Sequence, residues 1–165
     1  MNFRKQLVAL LATAGLFGCN TASEQVVTLP LIATPQNRSQ IATVTLASQG
    51  NQTAFSFFIS GVPNGVTLPL HIYTFVNKGS CQQPGPVAYA MNDRINTQHA
   101  AGIRGWTYSR IAPVAMRDLL SGEYSLVVRT APFDGSFDIF CADIGQMAQF
   151  SQEQEPPGKP AVAPK

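Results

Sequence analysis

Residues 68–81 constrain this chain more than any other stretch. Leu-Pro-Leu-His-Ile-Tyr-Thr-Phe-Val-Asn-Lys-Gly-Ser-Cys alternates as a strand should, ends in a Gly-Ser turn and delivers Cys81. A second cysteine, Cys141, stands in Asp-Ile-Phe-Cys-Ala-Asp-Ile near the end of the patterned region. A bond between them would tie the middle of the chain to its last strand. The same period of two recurs in residues 26–29, 32–34, 41–46, 54–59, 87–90, 103–110, 123–130 and 137–144. Pro30 interrupts the first of these and argues for an edge position. Turn residues fill 35–38, 48–51, 61–65 and 133–136, while 92–102 is polar, aperiodic and read as a surface loop. In residues 103–110, Trp106 and Tyr108 fall on one face. Residues 113–120 are the one helical candidate, with Pro113 near the start and Gly122 beyond the end. Short strands about ten residues apart predict an all-β fold, a Greek-key antiparallel sandwich or barrel of seven to eight strands with one short helix. The predicted domain covers residues 25–150, and the chain length of 165 leaves room for one.

The first eighteen residues are set apart from the fold. Arg4 and Lys5 form a basic start, residues 6–17 an apolar stretch too short to anchor stably across a bilayer, and Leu16-Phe17-Gly18-Cys19 follows. This motif resembles the lipobox of bacterial lipoproteins. The resemblance implies a signal peptide at 1–18, removed before Cys19, and acylation of the Cys19 thiol. Residues 19–24 then form a lipidated tether. Asn20 stands where an Asp would imply retention at the inner membrane, so the expected location is the outer membrane, lipid-anchored and facing the periplasm. Residues 151–165, rich in Gln, Glu, Pro and Ala, are expected to be a disordered tail. Loss of Arg4 and Lys5 leaves nine basic residues against nine acidic, from totals of 11 and 9. With no basic run, nucleic acid is not an expected partner. The chain holds three cysteines. With Cys19 acylated, two remain in an oxidising compartment, the number one disulfide needs, so Cys81 and Cys141 are expected to pair.

The order Gly-x-Pro-x-Gly, His71-x-Tyr73-x-Phe75, Gly79-x-Cys81, Leu119-x-x-Gly122-x-x-Ser125-Leu126-Val127-Val128, Gly135 and Cys141-Ala142-Asp143-Ile144 resembles the copper/zinc superoxide dismutase family over roughly residues 40–145. Residues 127–135 also resemble the related CHRD domain. The resemblance implies an eight-stranded Greek-key sandwich, and it places Cys81 and Cys141 where the dismutases carry their intrasubunit disulfide. It does not bring the family's ligands. Where the family has a His-x-His pair, this chain reads His71-Ile72-Tyr73. Where a further copper histidine ends the Val-Val strand, Arg129 stands, and a guanidinium keeps its proton and cannot ligate. The zinc loop is short and offers only Asp93 and His99. The position of the family's superoxide-steering arginine is held by Asp138, whose charge repels an anion. Arg129 and Asp138 are instead placed to pair across the last hairpin.

No catalytic residue and no cofactor is therefore assigned, and no metal site is expected; if a metal were held, His71, Tyr73 and His99 would be its donors. His71 reads first as a hydrogen-bonded core or rim histidine. The aromatic set Tyr73, Trp106 and Tyr108 reads as sheet packing. The expected function is that of a non-enzymatic cell-envelope lipoprotein, with the dismutase-like sandwich as a structural or binding module. Its partners would be the membrane, through the N-terminal lipid, and an envelope protein or small ligand of unspecified kind. The alternative is a degenerate copper-binding protein or dismutase built on His71.

Overall fold

The computed structural model describes residues 25–145. The signal peptide, Cys19, the tether, residues 146–150 and the tail at 151–165 lie outside the described residues. The fold is all-β and antiparallel: β1 (Val26–Ala33), β2 (Ala42–Gln49), β3 (Gln52–Ile59), β4 (Ile72–Gly79), β5 (Pro84–Ala90), β6 (Gln98–His99), β7 (Trp106–Ala112), β8 (Tyr124–Thr130) and β9 (Asp138–Asp143), with a short α-helix, α1 (Met116–Ser121), and 3-10 turns at Pro35–Asn37 and Pro132–Asp134. The strands run in the order β5-β4-β8-β9-β1-β2-β3-β7-β6, a single sheet curled into two leaves. Residues of β2 and β3 meet through a tight hairpin from Ala42↔Ile59 to Gln49↔Gln52. The chain then crosses to the other leaf for β4 and β5, returns for β7 beside β3, and crosses again for β8 beside β4. Those long returns to non-consecutive neighbours are the Greek-key connections expected of the pattern.

Alternation in the sequence becomes the two sides of each leaf. Val27, Leu29 and Leu31 of β1, Val44 and Leu46 of β2, Phe55 and Phe57 of β3, and Ile72 and Val76 of β4 are buried in one continuous core. Leu126, Val128, Phe140 and Ala142 close it from the far leaf, and Met116 and Leu119 of α1 cover one end. Thr53 seals that end by donating its hydroxyl to the Val114 carbonyl at 2.8 Å.

Several boundaries differ from the sequence expectation, among them the start of β7, which falls at Trp106 rather than 103. β4 begins at Ile72 rather than 68, because Pro69 has no N–H to give a neighbouring strand; the segment before it instead accepts from Thr97, whose N–H and hydroxyl both reach the Leu70 carbonyl. α1 begins at Met116, three residues after Pro113, with Ala115 still extended at its start. The 92–102 loop contains the two-residue β6, which pairs Gln98 with Thr107 and His99 with Trp106. β5 begins at Pro84, three residues before the 87–90 stretch that alternation marked. Pro30, in contrast, lies within an unbroken β1. Residues up to Leu31 pair with β2, and only Ile32 and Ala33 pair with β9, so the proline's missing donor falls on the side of β1 where no ladder partner stands.

Cys81 and Cys141 form a disulfide with Cα atoms 5.9 Å apart. Cys141 sits in β9 opposite Val127 of β8, and Cys81 follows the end of β4. The bridge therefore joins the turn leaving β4 to the last strand, and the Cys81 N–H also donates to Asp143 Oδ1 at 2.6 Å.

Candidate functional site

The first place to look is the outward side of the leaf formed by β4, β8 and β9, where the dismutase resemblance would put copper. His71 stands one residue ahead of β4 in an isolated bridge to Asn96, and its ring meets Phe133 edge-on at 5.5 Å. Its Nδ1 is buried and has no hydrogen-bond partner. Tyr73, half-buried, lies directly across the ladder from Arg129. The Arg129 guanidinium is committed elsewhere. Its Nε and Nη2 donate to the two carboxylate oxygens of Asp138 at 2.5 and 3.2 Å, and it sits over the Phe75 ring at 5.2 Å. The hydrogen bonds to Asp138 raise the Arg129 pKa above its usual value, more than partial burial lowers it. The pairing expected across the last hairpin is thus present and bidentate.

His99 is exposed on β6 and lies against Trp106 at 5.1 Å, so the two imidazoles have different aromatic neighbours. Among the described residues no three His, Cys, Asp or Glu side chains gather into a group that could hold a metal. The donor set here does not fit a dismutase copper centre: one imidazole, one phenol and a guanidinium locked to a carboxylate offer too few ligands of the right kind.

Sequence reasoning missed the most unusual polar group, Arg110. It lies on the inward side of β7, 3% exposed, with Tyr108 at 7% beside it. Arg110 donates from Nη1 to the Ser109 carbonyl at 2.8 Å and from Nη2 across the core to the Ile72 carbonyl at 3.0 Å, and its guanidinium covers the Tyr108 ring at 4.6 Å. Phe57 stacks on Tyr108 at 4.4 Å, nearly parallel. Burial pulls the Arg110 pKa down, Tyr108 and Asp93 oppose that shift, and Arg94 adds to it. Burial likewise pushes the Tyr108 phenol far above its ordinary range, with Thr74 and Arg110 opposing. Even so, Tyr108 Oη, Thr74 Oγ1 and Arg110 Nε reach no partner at hydrogen-bond geometry. The available signal was parity, since Trp106, Tyr108 and Arg110 share one side of a strand. An arginine at a core position runs against ordinary patterning, which is why the pattern alone did not place it.

Two open hollows flank the sandwich. One, about 470 Å³, lies near the disulfide; its lining includes Gly79, Gly122, Gly145 and Tyr124, and its Asp143 already accepts from the Cys81 N–H. The other, about 500 Å³, lies over β2, β3 and β7 and is bordered by Arg94, Asn96 and Gln98. Compared with known proteins, the chain matches no family model, no curated protein and no solved structure. Any assignment of function thus rests on the residues themselves.

Proposed function

We propose that this chain is a non-enzymatic lipoprotein of the cell envelope. Cys19 carries the lipid, the location is the periplasmic side of the outer membrane, and the dismutase-like sandwich is a binding module. The observation that carries the reading is the Arg129–Asp138 pair. At the position where the resemblance expects a copper histidine stands a cation bound through two hydrogen bonds to a carboxylate. A permanent positive charge there opposes a second cation, and Asp138 opposes the approach of superoxide. The alternative, a degenerate copper protein using His71 with Tyr73 and His99, draws on one observation, the buried and unpaired Nδ1 of His71.

One experiment on the full chain separates the two. The protein is expressed in bacteria fed an alkyne fatty acid, solubilised, titrated with Cu²⁺ and Zn²⁺ and assayed for superoxide decay. The expected result is label incorporation that disappears in Cys19→Ala, with no turnover at any metal loading. One equivalent of copper bound tightly, lost in His71→Ala and accompanied by turnover, overturns the non-enzyme reading. Wild-type chain that takes up no label overturns the lipoprotein reading.

A further inference from the structure

The hollow over β2, β3 and β7 is built on an ordered array of hydroxyls. Antiparallel register sets Thr28 opposite Thr45, Thr45 opposite Ser56, and Ser56 opposite Ser109, so one straight row of four hydroxyls crosses four adjacent strands. With strands about 4.8 Å apart, that row is roughly 14 Å long. The neighbouring row runs Thr43, Phe58, Thr107 and Gln98 from β2 to β6. All of these side chains belong to the side of the leaf opposite the core residues Val44, Phe57 and Tyr108.

The composition of this surface is unusual. A solvated sheet face generally carries charges of both signs. Here the lining holds hydroxyls, the carboxamides of Asn96 and Gln98, the aromatic residues Phe57, Phe58 and Tyr108, and the cations Arg94 and Arg110, with no carboxylate and no lysine. Of these, Phe57, Tyr108 and Arg110 belong to the core side of the leaf, leaving Phe58 and Arg94 on the outward side. Hydroxyls and carboxamides each both donate and accept, so they match a ligand that does the same. Thr45 meets Thr28 at 3.0 Å, while among the described residues the hydroxyls of Thr43, Ser56, Thr107 and Ser109 enter no hydrogen bond. Arg94 forms no salt bridge there either. Phe58 supplies an apolar surface amid these polar groups, and its ring is held in place by Gly105. A Cβ at Gly105 would lie 2.8 Å from Phe58 Cε2 and 2.5 Å from the Ile59 carbonyl, and φ there is +139°.

We propose that this groove binds a saccharide chain, with Arg94 receiving an acidic substituent, carboxylate or phosphate, on one of its sugars. A sugar chain carries hydroxyls that donate and accept at short intervals, together with apolar C–H faces that pack on an aromatic ring. The array offers a counterpart for each, hydroxyls and carboxamides for the sugar hydroxyls and the Phe58 ring for a C–H face. The inference rests on the binding-module reading and names the ligand class for it.

The test uses the full chain, solubilised, with a neutral glucose tetramer, an N-acetylglucosamine tetramer, a galacturonic acid tetramer and inorganic phosphate as probes, read by calorimetry and by Trp106 fluorescence. At least one oligosaccharide is expected to saturate the chain, with the acidic oligomer tighter than the neutral ones. Ser56→Leu and Ser109→Leu should each weaken that binding by about tenfold, one hydrogen-bonded contact's worth. Arg94→Gln should abolish the preference for the acidic oligomer over the neutral ones. Each variant is accepted only with an intact Cys81–Cys141 bridge and a wild-type melting temperature, and the exposed Arg94 provides a variant with no folding liability. Two results overturn the inference: no oligosaccharide binds, or inorganic phosphate competes as well as the acidic oligomer, which reduces the site to an ion contact at Arg94. A chain that fails here yet shows no metal-dependent turnover loses the sugar inference alone.

Discussion

Removing the disulfide is the perturbation whose size follows most directly from the structure. The bridge spans a sequence separation of 60. Closing a loop of that length restricts the unfolded chain by about 4 kcal/mol on the chain-entropy account, within the roughly 2–5 kcal/mol lost when small secreted domains are deprived of a native bridge. The native state has little reason to change. β9 remains hydrogen-bonded to β8 from Ser125↔Asp143 to Arg129↔Asp138, and to β1 at Ile32 and Ala33. Cys81→Ala combined with Cys141→Ala should therefore leave a folded domain with about 4 kcal/mol less stability, from the roughly 5–15 kcal/mol typical of natural domains. For a domain of this size that is a fall of roughly 10–20 °C in Tm. Urea unfolding followed by fluorescence is clean, because Trp106 is the one tryptophan in the chain. Since the effect lies in the unfolded state, the urea slope m should also rise in the double variant, an opened chain exposing more surface. A loss below about 1 kcal/mol, or a full loss with a smaller m, would refute the entropic reasoning.

Three further outcomes are expected. Burial raises the Tyr108 pKa in the fold but not in the unfolded chain, so above pH of about 10 the unfolded state releases a proton that the fold retains; stability should fall as pH rises there, by up to about 1.4 kcal/mol per pH unit, and Tyr108→Phe should flatten that limb while leaving neutral-pH stability within about 1–3 kcal/mol. The Arg129–Asp138 side chains are 37% and 46% exposed, so a double-mutant cycle with Arg129→Ala and Asp138→Ala should give a coupling of about 0–1 kcal/mol that shrinks in high salt; a coupling of several kcal/mol would mean a far drier pair. Gly105→Ala should destabilise by about 1–3 kcal/mol in thermal melts and disturb the Phe58 ring, since the new methyl meets both that ring and the Ile59 carbonyl; a neutral substitution would argue that the backbone there relaxes easily.

Much of this architecture was legible because a half-buried strand writes its two sides into alternate residues. β2, β3 and β8 fall almost where the alternation put them. The disulfide was legible from arithmetic rather than geometry, two thiols remaining for one bridge. What escaped was set by non-local pairing. β6 has two residues and no pattern of its own; only Trp106 and Thr107 of β7 give it strand character. The bidentate bond of Arg129 to Asp138 was visible because both lie across one hairpin. The buried place of Arg110 was not, because its second carbonyl comes from Ile72, 38 residues away and on the other leaf. The hydroxyl array was hidden for a related reason. Thr28, Thr45, Ser56 and Ser109 look like ordinary outward strand residues until three registers line them up.

Among the described residues the sheet does not close, and its two outermost strands, β5 and β6, bear on how copies of the domain tolerate one another. A free strand margin is a template for another chain, with unpaired N–H and C=O groups ready to recruit a neighbour and seed a fibre. At one margin β5 begins with Pro84 and Pro86, which withhold two donors, and its pairing with β4 slips at Val76/Asn77 and Asn77/Gly79, so the border is irregular. At the other, β6 offers two residues, too few to nucleate a ladder. On the proposal that Cys19 carries a lipid, the molecule would be confined to a plane, where collisions with its copies are frequent. Blunt margins of this kind let such a surface become crowded without polymerising.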